Sequence, residues 1–141
     1  MYVTIQLISF SYMYTHQKDR YFLNPIIDKG GNKLAYNIPV EATLDVIGGK
    51  WKVVIMCHLI KEERRTSELK KLMPTITQKM LTQQLRELEQ DGVVNRKVFD
   101  QVPPKVMYSL TDYGWSLRPI LDAMCSWGEQ HIEVVEEVEK N

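Results

Sequence analysis

Two apolar stretches in the first half of the chain predict helices. Pro39 suits the first turn of a helix, and an apolar stripe follows it until Gly48-Gly49 ends the pattern. Residues 50–60 are apolar around more than half of the helical circumference, which is typical of a central core helix. The charged run at residues 61–65 predicts a solvated loop.

Two shorter amphipathic segments follow, and a proline separates them. Thr66 or Ser67 is placed to cap a helix that Pro74 ends. Thr75 or Thr77 is placed to cap a longer helix that continues to residue 90. The pair predicts a helix, a tight turn and a second helix, an arrangement that can present the second helix to the DNA major groove.

The second helix of this pair has one apolar face and one polar face. Leu85 and Leu88 fall within about 40° of Leu81 on a helical wheel, so that face should pack inward. Glu87 lies at the border of the two faces. The outer face holds amide, hydroxyl and cationic side chains, with Gln78 at its edge: Gln78, Lys79, Thr82, Gln83, Arg86 and Gln90. Arginine and glutamine suit base edges and threonine suits phosphates, whereas an ordinary solvated face usually mixes Glu with Lys, so DNA reading is favoured.

Two runs rich in β-branched and aromatic residues, 93–99 and 106–110, flank a turn that contains Pro103-Pro104 and predict a β-hairpin. The hairpin carries Arg96, Lys97 and Lys105. A cation near the tip of such a wing gains from the negative potential of the minor groove or its phosphates. Taken alone, the tip could equally be a charged surface loop.

Thr111-Asp112 is placed to cap a long last helix whose apolar period reaches residue 135. Pro119 lies inside the pattern and predicts a kink or a break into two helices. The resulting fold class is mainly α with a small β-hairpin, a winged helix-turn-helix.

Charge is distributed unevenly although the formal net charge is zero. Residues 37–110 hold 12 Lys and Arg against 9 Asp and Glu, whereas residues 111–141 hold 2 against 7. A mildly basic middle and an acidic end suit one face for DNA and another for a different contact. We divide the chain into an N-terminal arm at 1–36, a winged-helix domain at 37–130 and an acidic helix end at 131–141.

The arm carries five of the seven tyrosines and no sustained helical period. It is either a segment that is poorly ordered or packs on a partner, or in part an artefact of the start site, because Met13 is an equally plausible initiator.

No chemistry-bearing motif points to an enzyme. The sequence has no Gly-rich phosphate loop, no paired carboxylate motif and no nucleophile elbow, so we predict no catalytic residue, cofactor or metal site. Two cysteines form no disulfide framework. Cys57 is expected to be a buried small hydrophobe. Cys125 lies on an apolar stripe of the last helix and is expected to have a packing role, the alternative being that the stripe is a dimer seam where Cys125 faces its twin. With no apolar stretch of membrane-spanning length, the protein is expected to be soluble and cytoplasmic.

Several segments together resemble the HxlR-type regulators, a bacterial branch related to the MarR-like winged-helix proteins. The resemblance covers about two-thirds of the chain. The segments that carry it are Pro39-Val40-Glu41, Asp45-Val46-Ile47-Gly48-Gly49-Lys50-Trp51, Ser67-Glu68-Leu69, Gln78-Lys79-Met80-Leu81-Thr82-Gln83, Leu85-Arg86-Glu87-Leu88-Glu89, Asp91-Gly92-Val93-Val94, Val102-Pro103-Pro104-Lys105-Val106 and Tyr108-Ser109-Leu110-Thr111.

The resemblance implies a homodimeric transcription factor that binds an inverted repeat, with added N- and C-terminal helices for dimerisation. It implies DNA contacts from Thr77, Gln78, Lys79, Thr82, Gln83, Arg86, Arg96, Lys97 and Lys105, and a dimer interface that includes Val40, Leu44, Leu121, Cys125, Gly128 and Ile132. Several such regulators sense oxidants through a cysteine just before the first helix's proline. Here Ile38 occupies that place, which argues against thiol sensing there.

The sequence therefore predicts a regulator that binds double-stranded DNA specifically and acts without catalysis. The alternative is a winged helix used as a protein-interaction module. The operator, the effector and the sign of regulation do not follow from the sequence.

Overall fold

The computed structural model describes Tyr36 and residues 38–140. The chain divides into two compact units, residues 1–47 and 48–141. The elements are α1 (Pro39–Ile47), α2 (Trp51–Lys61), α3 (Thr66–Leu72), α4 (Gln78–Gln90), β1 (Val94–Phe99), β2 (Lys105–Leu110), α5 (Asp112–Trp115) and α6 (Arg118–Glu139).

In the first unit, the described structure consists of Tyr36 and the segment that ends with α1. The helix begins where the backbone N–H of Ile38 donates to Oε2 of Glu41 at 3.0 Å. Val40 and Leu44 are 46% and 56% exposed. The arm predicted at residues 1–36 lies, apart from Tyr36, outside the described residues.

The core of the second unit is built around α2, as its apolar sequence predicted. Ile55, Met56 and Leu59 are buried, and α2 packs against α4, β2 and α6. From α4, the three leucines at positions 81, 85 and 88 are buried, which confirms the face that their spacing predicted.

Helix caps fix the boundaries of the helix-turn-helix. Thr77 caps α4, because its Oγ1 accepts the backbone N–H of Met80 at 3.1 Å. The expected cap of α3 was wrong: that helix already begins at Thr66, with Arg65 at the N-cap. The carboxylate of Glu68 accepts the N–H of Arg65 at 2.6 Å and closes the first turn, where a negative charge is favoured.

The run at residues 61–65 is only in part the expected solvated loop. Arg64 and Tyr108 exchange two backbone hydrogen bonds: Arg64 N–H donates to Tyr108 O at 3.0 Å, and Tyr108 N–H donates to Arg64 O at 2.9 Å. Backbone groups beside a sheet edge need partners, and this short bridge supplies them. It ties the connection between α2 and α3 to the hairpin.

β1 and β2 form the expected antiparallel hairpin, with Arg96 opposite Tyr108 and Phe99 opposite Lys105. The predicted break near Pro119 is confirmed, since α5 ends at Trp115 and α6 begins with this proline in its first turn. Among the described helices, none combines the length and apolarity needed to cross a membrane.

Candidate nucleic-acid interface

The outer face of α4 forms one exposed polar surface. Its side chains line a single shallow groove: Gln78, Lys79, Thr82, Gln83 and Arg86. Thr77 lies exposed at the N-terminus of the helix, where free backbone N–H groups favour anions such as phosphate. The structure therefore brings the five groove-lining residues together on one face of α4, as the helical wheel predicted.

Hydrogen bonds between side chains order the first turns of this face. The Oγ1 hydroxyl of Thr82 donates to the backbone carbonyl oxygen of Gln78 at 2.9 Å. The same hydroxyl oxygen accepts from Nε2 of the Gln78 side chain at 3.4 Å. The two side chains are thus paired with each other along the helix. If these side chains bound a base or a phosphate, the contacts with that ligand would replace the hydrogen bonds between Gln78 and Thr82.

The acidic residue at the border of the face is paired through both of its carboxylate oxygens. Oε2 of Glu87 lies 2.8 Å from Nζ of Lys52, a lysine of α2 whose side chain is only 10% exposed. Gln83 Nε2 donates to the other carboxylate oxygen, Oε1 of Glu87, at 3.1 Å. The hydrogen bond from Lys52, followed by that from Gln83, lowers the pKa of Glu87. The sequence analysis missed this arrangement, since only the fold brings Lys52 beside α4.

Arg96 belongs with α4 and not with the other two cations of the hairpin. It lines a groove between α4 and the hairpin together with Thr82, Arg86, Glu89 and Tyr108. Successive side chains of a strand point to opposite faces, and Arg96 is directly opposite Tyr108, which is buried. The alternation in the sequence already carried this signal.

Lys97 and Lys105 lie on the other face of the hairpin, around one aromatic ring. Their Nζ atoms are 5.0 Å and 5.1 Å from the ring centroid of Phe99. Cations at this distance are attracted by the ring's negative face. The ring thereby lies between two positive charges near the hairpin turn.

The residues expected at the dimer interface do not share one environment. Leu121 is 1% exposed and is buried within the chain, because α6 packs on α2. Its side chain therefore belongs to the core of the domain. Cys125 and Ile132 are exposed and Gly128 is half-exposed, as an interface would require.

The expectation that Cys57 is buried was wrong, because it is only half-buried. It lies on α2 near the Cys125 thiol on α6, close enough for the two thiols to influence each other's ionisation. Burial first, and then the neighbouring Cys125, raise the pKa of the Cys57 thiol. Helical spacing could not show this proximity, because it depends on how two helices pack.

Comparison with known proteins agrees with this geometry. Residues 46–136 match the family described as HxlR-like helix-turn-helix. The HTH-type transcriptional regulator YtcD of Bacillus subtilis (strain 168) is 69% identical over 103 residues, which span 73% of this chain and 82% of YtcD.

Two solved structures extend the comparison. The redox regulator HypR in its reduced form is 56% identical with a TM-score of 0.67, over 70% of this chain and 98% of that one. A MarR-family transcriptional regulator from Enterococcus faecalis V583 is 39% identical with a TM-score of 0.61, over 70% and 89%.

The fold and the site define a winged-helix transcriptional regulator of the helix-turn-helix type. Within that class, the chain belongs to the HxlR-like helix-turn-helix family, which is related to the MarR-like regulators.

Proposed function

We propose that this regulator binds specific sites on double-stranded DNA, with α4 in the major groove and the β1–β2 hairpin as the wing. The observation that carries the proposal is the composition of the exposed α4 face. Amide, hydroxyl and cationic side chains line its groove, while the carboxylate of Glu87 is paired with Lys52. A face of this kind offers donors to base edges and positive charge to phosphates.

Within this proposal the side chains divide into two groups. Gln78, Gln83 and Arg86 read bases, because glutamine suits adenine and arginine suits guanine. Phosphate contacts come from the remaining residues of the interface: Thr77, Lys79, Thr82, Arg96, Lys97 and Lys105. The mechanism is binding without catalysis, and it takes place where the DNA is, in the cytoplasm.

The regulator acts as a homodimer on an inverted repeat. Support comes from apolar side chains that a single chain leaves exposed: on α1, Val40 and Leu44, and on α6, Ile132 and its neighbours Val135 and Val138. Cys125 and Gly128 lie on the same helix and belong to the proposed seam. A two-fold axis would place the two α4 helices in successive major grooves, about 34–36 Å apart.

The test is selection of duplexes from a random library by the full chain, followed by titration of the selected site. We expect the selected duplexes to share one motif made of two inverted half-sites. The complex on this motif should contain two copies of the chain. Affinity should fall steeply with salt, because phosphate contacts release counterions. Failure to enrich any sequence, with salt-independent binding, would instead favour the winged helix as a protein-interaction module.

A further inference from the structure

Three polar side chains are hydrogen-bonded in series from the core of the domain to the α4 groove. Lys52 Nζ lies 2.8 Å from Oε2 of Glu87, and Gln83 Nε2 donates to Oε1 of the same carboxylate at 3.1 Å. Lys52 is anchored, since its side chain is 10% exposed, and Glu87 is intermediate at 36%. Gln83 is exposed and lines the α4 groove.

The chemistry of the three groups fixes which way the Gln83 amide points. An ionised carboxylate only accepts hydrogen bonds, and Lys52 holds Glu87 in that form. The end of the Gln83 amide that faces Glu87 must therefore be the nitrogen. One N–H is used by Glu87, which leaves the amide oxygen and one N–H for a ligand.

One acceptor beside one donor matches adenine, whose major-groove edge presents N6–H₂ as a donor and N7 as an acceptor. Guanine presents two acceptors, O6 and N7, and asks for two donors. A free glutamine could offer both N–H groups to guanine. With one of them held by Glu87, it cannot.

We propose that Glu87, backed by Lys52, is a positioning residue that orients the Gln83 amide to read adenine and to reject guanine. This inference rests on the proposed function, because it requires Gln83 to meet a base. It assigns Glu87 an effect on base preference that an ion pair serving only stability would not have.

The sharpest variant is Glu87→Gln. The new amide has one oxygen, which Lys52 attracts because an ammonium only donates. Its NH₂ group then faces Gln83, whose amide must turn its oxygen inward to accept. Both N–H groups of Gln83 then face the groove, which is the pattern that guanine accepts.

The experiment begins with the site selected by the parent chain. The base contacted by Gln83 is the position at which Gln83→Ala loses its preference. Dissociation constants are then measured by fluorescence anisotropy on duplexes that differ only there, for the parent, Glu87→Gln, Gln83→Ala and the double variant. We expect the parent to prefer adenine over guanine by roughly tenfold or more. Glu87→Gln should bring this ratio below about threefold or reverse it.

The double variant is the matched control. Any general gain in affinity from the lost negative charge appears with and without Gln83, whereas the change in base preference should vanish in the Gln83→Ala background. Should Glu87→Gln fail to fold, Lys52→Met with Glu87→Met replaces the ion pair by apolar side chains, a change that proteins often tolerate. It frees Gln83, and the adenine preference should again fall.

The outcomes separate the two proposals. A parent that selects no site refutes DNA reading itself. A parent that reads adenine through Gln83, with the same adenine-to-guanine ratio in every folded Glu87 variant, refutes the inference and leaves DNA binding intact. A base other than adenine at the Gln83 position also refutes it.

Discussion

Gly114 packs directly against the backbone of Val93: a Cβ at position 114 would lie 2.1 Å from the Val93 carbonyl oxygen and 3.0 Å from its carbonyl carbon. The residue before β1 and the short helix α5 can approach this closely only because position 114 has no side chain. Both residues are buried. The contact fixes where the chain turns from the wing back to the domain.

Gly114→Ala should therefore destabilise the domain by about 1–3 kcal/mol or more, since backbone atoms must move to admit the methyl group. The measurement is chemical denaturation. Ser126→Ala on α6 is the control, since Ser126 is exposed in a helix and lies outside the proposed dimer seam. Better helix propensity should make that variant as stable as the parent or more stable by about 0.5 kcal/mol. Equal stability of the parent and Gly114→Ala would contradict the close contact.

Arg86 lies exposed in the α4 groove and is expected to read a base. Arg86→Ala should weaken binding to the selected site by about 1–3 kcal/mol and binding to random duplex by less. Arg118→Ala on α6 removes the same charge away from this face and should leave both affinities unchanged. Equal losses on the two duplexes would make Arg86 a phosphate contact.

Lys105 is expected to meet phosphate from the wing. Lys105→Ala should weaken binding on every sequence and reduce the slope of affinity against salt by about 1. Titrations at several salt concentrations measure both effects. Phe99→Leu, which removes the ring between Lys97 and Lys105 but keeps both charges, should change the slope less. An unaltered slope and affinity in Lys105→Ala would show that the wing stands away from DNA.

Ile132 is 57% exposed on α6 and is expected at the dimer seam. Ile132→Lys should shift the chain toward monomer at a given concentration, because a charge would be buried against the partner. Glu133→Lys, its neighbour, makes a larger charge change and should leave the dimer intact. Analytical ultracentrifugation distinguishes the two, and a dimer of parental strength in Ile132→Lys would remove this residue from the seam.

The raised pKa of Cys57 predicts a stability change on the alkaline side. Because the folded chain holds this thiol neutral, its contribution is present below the thiol pKa of the unfolded chain and is lost as pH rises through the folded value. Relative to Cys57→Ala, the parent should therefore lose stability as pH rises through that range. In Cys125→Ser the loss should be smaller and should end at lower pH, because one cause of the raised folded pKa is removed while burial remains. Parallel stability curves for all three chains would contradict this assignment.

Sequence periodicity predicted those features that a single element determines. Leu81, Leu85 and Leu88 identify the inward face of α4, and the side chains on the opposite side of the helix must then face outward. The stripe on α6 was harder, since Leu121 and Ile132 follow the same period although one is in the domain's core and the other is exposed. Periodicity shows that a face is apolar but not what covers it.

Contacts between elements could not be predicted in this way. In the sequence nothing distinguishes Lys52 from other lysines near the start of a helix. Its ion pair with Glu87 forms only when α2 and α4 pack together. The proximity of Cys57 to Cys125 has the same origin. The separation of Arg96 from Lys97, in contrast, could have been predicted from the sequence, because successive side chains of a strand point to opposite faces.

The two backbone hydrogen bonds between Arg64 and Tyr108 have a consequence for the DNA. They join the connection between α2 and α3 to the second strand of the hairpin, which should restrict movement of the wing relative to the helix-turn-helix in the free protein. If α4 and the wing contact DNA as proposed, the duplex would have to bend or narrow its grooves to meet both of them. The energy of that deformation depends on base steps that no side chain touches. Base pairs lying between the contacted positions should therefore contribute to operator choice through their flexibility alone.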